Sequence, residues 1–298
     1  MSRITFSPRP LALLVSAVFF CPSVVWSQVD TSRCVSFGDS LTDNDSLYLL
    51  FGTDPWIYGP DPFEAVFQQA ADHDDQLENH AVLRSTSSDV LDQVRSYVDA
   101  RDAGEIDSAS LISLQAGGND FLTTEVLLTL ASAPPGESEL ADSVASEIRG
   151  NLLAGLRLLK SSDRNAALVL WTIPDVTLSP YVIGLGLDAA SQVNIRAHLE
   201  RTNRLIRTLE RQPRIAVLDI FTILVEVSIA PPTIGHIALT PPPYFGFGSA
   251  IFADPIHPTA VSNGLLANEL ISKLNARFGD SIPTYSDSEL LKLIQGVL

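Results

Sequence analysis

The sequence predicts an α/β domain in which helices cover both faces of a parallel sheet. The 298 residues are 46% hydrophobic and 18% charged, a globular composition that excludes wholesale disorder and collagen. Short apolar runs alternate along the chain with segments of helical spacing. Because strand–helix alternation of this kind is typical of doubly wound sheets, we expect one such domain over residues 28–298.

Five short runs are predicted to be strands. Several are apolar at every position, as expected for parallel strands that are buried on both faces. The runs are Cys34–Phe37, Ala81–Leu83, Leu111–Leu114, Ala167–Ile173 and Ile215–Ile220.

The segments between these runs have the spacing of amphipathic helices. Asp89–Val98 is one of them, with Ser87 or Ser88 available as its N-cap. Its apolar positions are Val90, Leu91, Val94, Tyr97 and Val98. Further helices are predicted over Leu140–Leu159, Ala189–Leu209 and Ala260–Phe278.

Two stretches do not fit the alternation, Tyr48–Phe67 and Ile229–Phe252. Both are rich in aromatic residues and broken by prolines, so they are predicted to be long irregular loops. Apolar loops of this length can line a ligand site, and they can equally be crossovers packed on the sheet. Both interpretations stay open at this point.

The first 27 residues have the pattern of a secretory signal peptide. Arg3 and Arg9 precede a ten-residue apolar run, and Val25 and Ser27 stand at the −3 and −1 positions of a cleavage site. The run is shorter than the roughly 20 residues that span a bilayer. We therefore expect a secreted protein, extracellular or periplasmic, without stable membrane insertion. An N-terminal membrane anchor is the alternative.

Charge and cysteine content exclude other classes. A net charge of −16 repels nucleic acid and anionic lipid, so binding to a phosphate backbone is disfavoured. Removal of 1–27 would leave Cys34 as the one cysteine, so no internal disulfide is expected. Cys34 lies in an apolar run and is predicted to be a buried, inert thiol.

Four separated blocks carry the candidate chemistry. They are Phe37–Asp43 (FGDSLTD), Asn79–Ser87 (NHAVLRSTS), Gly117–Asp120 (GGND) and Asp254–Pro258 (DPIHP). The first and third come directly after predicted strands, and the fourth precedes the last predicted helix. A serine in a small-residue turn at the end of a strand lies at the sheet edge where open α/β folds bind ligands. The sequence has no G-x-S-x-G, H-E-x-x-H, P-loop or C-x-x-C motif.

These blocks, in this order and at these places relative to the strands, resemble the SGNH (GDSL-type) hydrolase family. The resemblance runs from Phe37 to about Asn275. It implies a flavodoxin-like three-layer α/β/α sandwich with a five-stranded parallel sheet, and an ester hydrolase activity. By correspondence with the family's motifs, Ser40 is the nucleophile and Asn119 is an oxyanion donor. Asp254 and His257 correspond to the orienting acid and the base.

The chemistry of these residues supports the same assignment. A serine hydroxyl becomes a strong nucleophile only when a base takes its proton, and a neutral histidine suits that role near pH 7. Its second ring nitrogen must donate to a carboxylate, and Asp254 lies three residues before His257. The side chain of Asn119 offers N–H donors to the charge that develops on the carbonyl oxygen.

Arg84 departs from the family's pattern. When the second block is aligned on Asn79 and Thr86, Arg84 occupies the place of a glycine whose N–H usually completes the oxyanion hole. The predicted hole therefore consists of the N–H groups of Ser40 and Arg84 and the amide of Asn119. A left-handed backbone at an arginine costs about 1–2 kcal/mol. Its guanidinium also offers a contact to an anionic group of a substrate.

Two patterns only imitate functional motifs. Phe278–Ser281 repeats the letters FGDS but follows a predicted helix, so Gly279 is expected to end that helix and Ser281 to have no catalytic role. His73 lies in an acidic run that is expected to be a solvated loop, so no metal site is predicted there.

The sequence thus indicates a secreted serine ester hydrolase that works through an acyl-enzyme and needs no metal or organic cofactor. Lipids, phospholipids, thioesters and acetylated polysaccharides all remain possible substrates, and the oligomeric state is open. An alternative from another class is a binding or adhesion module that keeps the fold but has lost activity. The unusual Arg84 motivates that alternative.

Overall fold

A parallel sheet of five strands forms the centre of the fold in the computed structural model of the chain. The structure describes residues 29–43, 46–47, 50, 57–70 and 75–297. The strands are β1 (Arg33–Phe37), β2 (Gln76–Asn79), β3 (Leu111–Leu114), β4 (Ala167–Trp171) and β5 (Ile215–Leu218). They lie in the order β2-β1-β3-β4-β5, and every neighbouring pair is parallel. This order is that of flavodoxin-like sheets.

Helices connect the strands and fill the two outer layers. The helices among the described residues are α1 (Pro62–Ala70), α2 (Ser87–Asp102), α3 (Gly118–Leu122), α4 (Thr124–Ser132), α5 (Glu139–Ser162), α6 (Pro180–Gly184), α7 (Ala189–Leu209), α8 (Ile220–Ile229), α9 (Ala260–Phe278) and α10 (Asp287–Gln295). Short strands β6 (Thr233–Ile234), β7 (Ile237–Ala238), β8 (Thr240–Phe245) and β9 (Ala250–Phe252) lie between α8 and α9.

Each face of the sheet has its own hydrophobic core. On one face, α2, α5 and α7 pack against alternate strand residues such as Val35 and Ile112. On the other face, α1 and α9 pack against residues such as Leu111 and Val169. The strands are apolar throughout because they are buried from both sides. The predicted three-layer α/β/α sandwich with a five-stranded parallel sheet is confirmed.

Several predicted helices match the structure closely. Ala189–Leu209 and Ala260–Phe278 have the predicted bounds, and Gly279 ends the second of them with a φ of 71°. The helix predicted over Leu140–Leu159 extends to Glu139–Ser162. The N-cap of α2 is Thr86 rather than Ser87 or Ser88, because Thr86 and Asp89 form a reciprocal capping box.

The second strand is not where the sequence predicted it. Ala81–Leu83 is a turn, and the strand is Gln76–Asn79. This strand lies at the edge of the sheet and pairs with β1 alone, so its polar sequence gives no apolar signal. The apolar run after it is held in a turn because Ala81 N–H donates to Asn79 Oδ1 at 2.9 Å and Leu83 N–H donates to Asp43 Oδ2 at 2.8 Å.

Other boundaries also differ from the prediction. β5 ends at Leu218, two residues early, because Asp219 caps α8 by accepting from Thr222 N–H. β4 likewise ends at Trp171 rather than Ile173. The two stretches predicted to be irregular contain α1 and the short strands β6–β9, so that prediction is wrong for those segments.

The predicted signal peptide, 1–27, lies outside the described residues, as does His73. Within the described part of the chain, none of the helices combines the length and the apolar character that crossing a bilayer requires. Cys34 is buried, as predicted, and burial raises the pKa of its thiol to about 12. A thiol with that pKa is not a nucleophile near neutral pH.

Candidate active site

The four sequence blocks come together at the carboxyl edge of the sheet. Ser40 follows β1, Arg84 follows β2 and Asn119 follows β3. Parallel strands bring all their carboxyl ends to one edge, and in this strand order the switch point lies between β1 and β3. The loop Asp254–His257 reaches the same edge from the far end of the chain, just before α9.

A continuous line of hydrogen bonds joins Ser40, His257 and Asp254. The ring Nε2 of His257 lies 2.9 Å from Ser40 Oγ, and its Nδ1 lies 2.7 Å from Asp254 Oδ2. Ser40 and His257 are each only 7% exposed, so little water competes for these contacts. The structure therefore brings together the three residues that the sequence predicted as a triad.

Local backbone geometry places Asp254 and His257 as a unit. Asp254 Oδ1 accepts the N–H groups of Ile256 at 2.7 Å and His257 at 2.8 Å, which closes a tight turn. The N–H of Ala253 donates to the His257 carbonyl at 2.8 Å, and Thr259 caps α9 directly afterwards. The carboxylate and the imidazole are thus oriented by their own short loop.

Tyr58 adds a second donor to the carboxylate. Its hydroxyl donates to Asp254 Oδ2 at 3.0 Å, although the two residues are 196 positions apart. Burial by itself would raise the pKa of Asp254, but the hydrogen bond and charge of His257 and the two backbone donors lower it below its ordinary value. The carboxylate therefore stays ionised beside the imidazole. Sequence reasoning missed Tyr58, since only its place in an aromatic stretch marked it.

Three possible oxyanion donors line the cavity beside Ser40 Oγ. Within the described residues, neither the backbone N–H of Ser40 nor that of Arg84 has a hydrogen-bond acceptor. Arg84 has a φ of 69°, the left-handed conformation that the alignment with a glycine anticipated. Asn119 Nδ2 donates to the Ser85 carbonyl at 3.0 Å, and a side-chain amide carries a second N–H.

These groups surround an open cavity of about 450 Å³. Ser40, His257, Arg84 and Asn119 line it, together with residues that follow β4 such as Pro174. The two aromatic stretches of the sequence also reach it, through Leu50 and Phe252. A contact between either stretch and a substrate stays a prediction.

Comparison with known proteins agrees with this geometry. A family model described as the GDSL-like lipase/acylhydrolase family matches residues 36–262, which include all four blocks. The chain belongs to this family. Membership makes it a hydrolase of ester bonds. No curated protein matches the chain.

Solved structures show the same fold. The lipase Lip_vut3 from a goat rumen metagenome has a TM-score of 0.55 and 15% identity, over 82% of this chain and 97% of that one. Phospholipase A1 from Streptomyces albidoflavus NA297 has a TM-score of 0.51 and 22% identity, over 82% of this chain and 100% of that one. At these identities the likeness is one of fold.

In this GDSL-family hydrolase, two glutamines hold the turn that carries Ser40. Gln93 of α2 accepts from Gly38 N–H and donates to the Gly38 carbonyl, both at 3.0 Å. Gln115 accepts from Asp39 N–H at 3.0 Å and donates to Asp39 Oδ2 at 2.9 Å. Burial raises the pKa of Asp39, against the hydrogen bonds from Leu41 N–H and Gln115 that lower it. Sequence reasoning did not find either glutamine.

Two further carboxylates fix the neighbouring blocks. Asp43 Oδ2 accepts from Leu83 N–H at 2.8 Å and so holds the turn before Arg84. Asp120 accepts from the N–H of Ser87 at 2.8 Å and from its hydroxyl at 2.7 Å. The block of Asn119 is thereby tied to the start of α2.

The imitating patterns lie away from this site. Asp280 accepts from Val29 N–H at 3.1 Å, just before β1, so Ser281 lies near the amino edge of the sheet and not with Ser40. Buried His198 lies with its Nε2 3.0 Å from the Ala133 carbonyl, a contact within the helical layer. Among the described residues, no group of three or more His, Cys, Asp and Glu side chains could hold a metal ion.

The nucleophile turn yields a test of Gly38. A Cβ added there would collide with Thr42 Oγ1 and would lie 2.8 Å from Gln115 Oε1. We expect Gly38→Ala to cost about 1–3 kcal/mol in the free energy of unfolding. We also expect kcat/KM to fall more than about tenfold, because a displacement of about 1 Å can cost 10²-fold.

Gly150→Ala is the matched control, because no atom lies within 4 Å of a Cβ at this position in α5. It should keep full activity and gain up to about 1 kcal/mol of stability. Chemical denaturation and ester kinetics measure both variants. Full activity in Gly38→Ala would show that the turn tolerates movement.

Proposed function

We propose that the protein is a secreted serine esterase that cleaves carboxylic esters through an acyl-enzyme. The observation that carries the proposal is the hydrogen-bonded line from Ser40 Oγ through His257 to Asp254. In this line the imidazole can take the proton of the hydroxyl while the carboxylate holds the ring. Secretion rests on the signal-peptide pattern of residues 1–27.

Acylation begins when Ser40 Oγ attacks the ester carbonyl carbon and its proton moves to His257 Nε2. The carbonyl π electrons move to the oxygen, which becomes an oxyanion. When the tetrahedral intermediate collapses, the bond to the alcohol oxygen breaks and His257 gives that oxygen the proton. The alcohol leaves, and the acyl group remains on Ser40.

Deacylation repeats these steps with water. His257 takes a proton from the water, whose oxygen attacks the acyl carbon. Collapse of the second intermediate returns the proton to Ser40 Oγ and releases the acid. Throughout, Asp254 stays ionised and keeps Nδ1 as the donor, for which its lowered pKa is suited.

The oxyanion is assigned to the N–H groups of Ser40 and Arg84 and the amide of Asn119. Loss of one such donor typically costs about 3–4 kcal/mol of transition-state stabilisation. The left-handed backbone of Arg84, with a φ of 69°, costs about 1–2 kcal/mol. Hydrogen bonds at Leu83 and Ser85 on either side hold that conformation.

The alternative of a decayed binding module has less support. Its motive is Arg84 in the place of a glycine, yet an arginine supplies the same backbone N–H. The residues that a decayed enzyme would be free to lose are all present, and Ser40, His257 and Asp254 are within hydrogen-bond distance of one another. Hydrolysis of a short p-nitrophenyl ester separates the two functions.

The nucleophile can be tested with its sequence imitation as control. Ser40→Ala should lower kcat at least 10³-fold, with a residue left from the oxyanion donors. Ser281→Ala, in the second FGDS sequence, should stay near wild type. A serine-directed phosphonate followed by peptide mass spectrometry should label Ser40 alone. Label on Ser281 would overturn the assignment.

The base can be tested by the pH dependence of kcat/KM. Histidine must be neutral to accept a proton, and histidine side chains ordinarily titrate near about pH 6.5. Activity should therefore fall toward acid through one ionisation. Because the pKa of Asp254 is lowered, its protonation adds no second step in that range. A profile that stays flat to about pH 4 would contradict a histidine base.

Arg84 can be tested with three substitutions. Arg84→Gly and Arg84→Ala both remove the guanidinium, but only glycine relieves the left-handed strain, so Arg84→Gly should unfold with about 1 kcal/mol more free energy than Arg84→Ala. On a neutral ester, kcat of Arg84→Gly should stay level or rise, since the N–H remains.

The charge of Arg84 has its own readout. If the guanidinium holds an anionic group, KM for anionic esters should rise in both variants, recover in Arg84→Lys, and weaken its dependence on charge in high salt. A fall in kcat on neutral and anionic esters alike would instead show that the side chain supports catalysis directly.

A further inference from the structure

A second, narrower cavity adjoins the catalytic one. It has a volume of about 80 Å³ and lies between α8, the first turns of α9 and the strand β9. Ile223 and Val227 of α8, Ile251 of β9 and Leu265 of α9 form its walls. We call it the side pocket.

The side pocket opens next to the reacting groups. Leu41 and Ile256 line both cavities, and they directly follow Ser40 and precede His257 in the chain. Pro174, Leu224 and Phe252 also line both. A chain attached to an acyl carbon on Ser40 therefore has a continuous path into the side pocket.

The sheet determines how far this path extends. Pro174 follows β4 and Ile220 follows β5, whereas Ser40 follows β1. Three strand spacings of about 4.8 Å, or about 14 Å, separate β1 from β5. An acetyl group is too short to enter the far part of such a path. Arg84 follows β2, at the opposite edge of the sheet.

The chemistry of the walls selects the occupant. Among the described residues that line the side pocket, none carries a charge and Ser262 alone is polar. Its hydroxyl is already engaged, since it donates to the Ile251 carbonyl at 2.8 Å. Sugar hydroxyls and phosphates would lose their hydration here without gaining a partner, whereas hydrocarbon would not.

We propose that the side pocket binds the acyl chain of the substrate, and that the protein hydrolyses medium-chain acyl esters in preference to acetyl esters. This inference rests on the proposed function, because it places the chain relative to an acyl carbon on Ser40. It commits the site to aliphatic esters and against acetylated polysaccharides.

The volume of the pocket sets the expected effect. Its roughly 80 Å³ equals about three shares of liquid water at 30 Å³ each, room for about three methylene groups. Each buried methylene should raise kcat/KM about fourfold, so filling the pocket should raise it about 60-fold. Beyond that length the gain should stop.

The first experiment is a series of p-nitrophenyl esters from acetate to dodecanoate with the wild-type enzyme and two variants. Val227→Trp fills the side pocket and should lower the octanoate-to-acetate ratio of kcat/KM at least about tenfold. Glu226→Trp places the same ring on the exposed side of α8 and should leave the ratio unchanged. Ile223→Ala, which enlarges the pocket, should move the optimum to longer chains and serves as well if Val227→Trp fails to fold.

A second series of alkyl acetates separates the acyl chain from the alcohol chain. These esters should show little dependence on chain length and little effect of Val227→Trp. If they respond and the acyl series does not, the pocket holds the alcohol and the proposal is overturned. A flat acyl series, with acetate hydrolysis still lost in Ser40→Ala, would also overturn it and leave the proposed function standing.

Binding gives a readout that does not need turnover. Calorimetry should detect octanoate binding to Ser40→Ala and at least about tenfold weaker binding to the Ser40→Ala/Val227→Trp double variant. If the wild type is inert on every ester, the proposed function fails, and this measurement still decides whether the side pocket takes a hydrocarbon chain. Equal binding by both proteins would refute the pocket assignment.

Discussion

The single direction of the five central strands is the constraint on which the site depends. Because every strand is parallel to its neighbours, all carboxyl ends lie at one edge, and each loop that leaves them contributes to the same cavity. Ser40, Arg84 and Asn119 need no other device to meet. The base comes from elsewhere, since His257 is 217 positions from Ser40, and α9 brings its loop back over the edge.

Side-chain hydrogen bonds to backbone groups then hold these loops in place. Gln93 and Gln115 hold the turn of Ser40, and Asp43 and Asp120 hold the turns before Arg84 and after Asn119. In a buried setting an unpaired polar group is costly, so such a network favours one arrangement. This rigidity explains how an arginine can stay in a left-handed conformation next to a cavity.

The two edges of the sheet give the cavity unlike ends. The loop after β2 contributes a cationic side chain at Arg84, whereas the segments after β4 and β5 contribute aliphatic walls. The reacting groups lie between them. An ester with a hydrocarbon acyl part fits the aliphatic end, and any polar or anionic part of the molecule would face the other.

The sequence by itself determined the fold class, the strands at the centre of the sheet and the residues of the reacting line. Buried parallel strands must be apolar, and Ser40, Asn119, Asp254 and His257 stand in short motifs whose chemistry is legible without a structure. It misplaced the edge strand, because Gln76–Asn79 pairs on one side only and needs no apolar pattern. Tertiary structure alone decided the contacts of Tyr58, Gln93 and Gln115, which join residues far apart in the chain and leave no periodic signal. It also decided the side pocket, because a cavity is the space left between elements whose separate sequences only report that they are apolar.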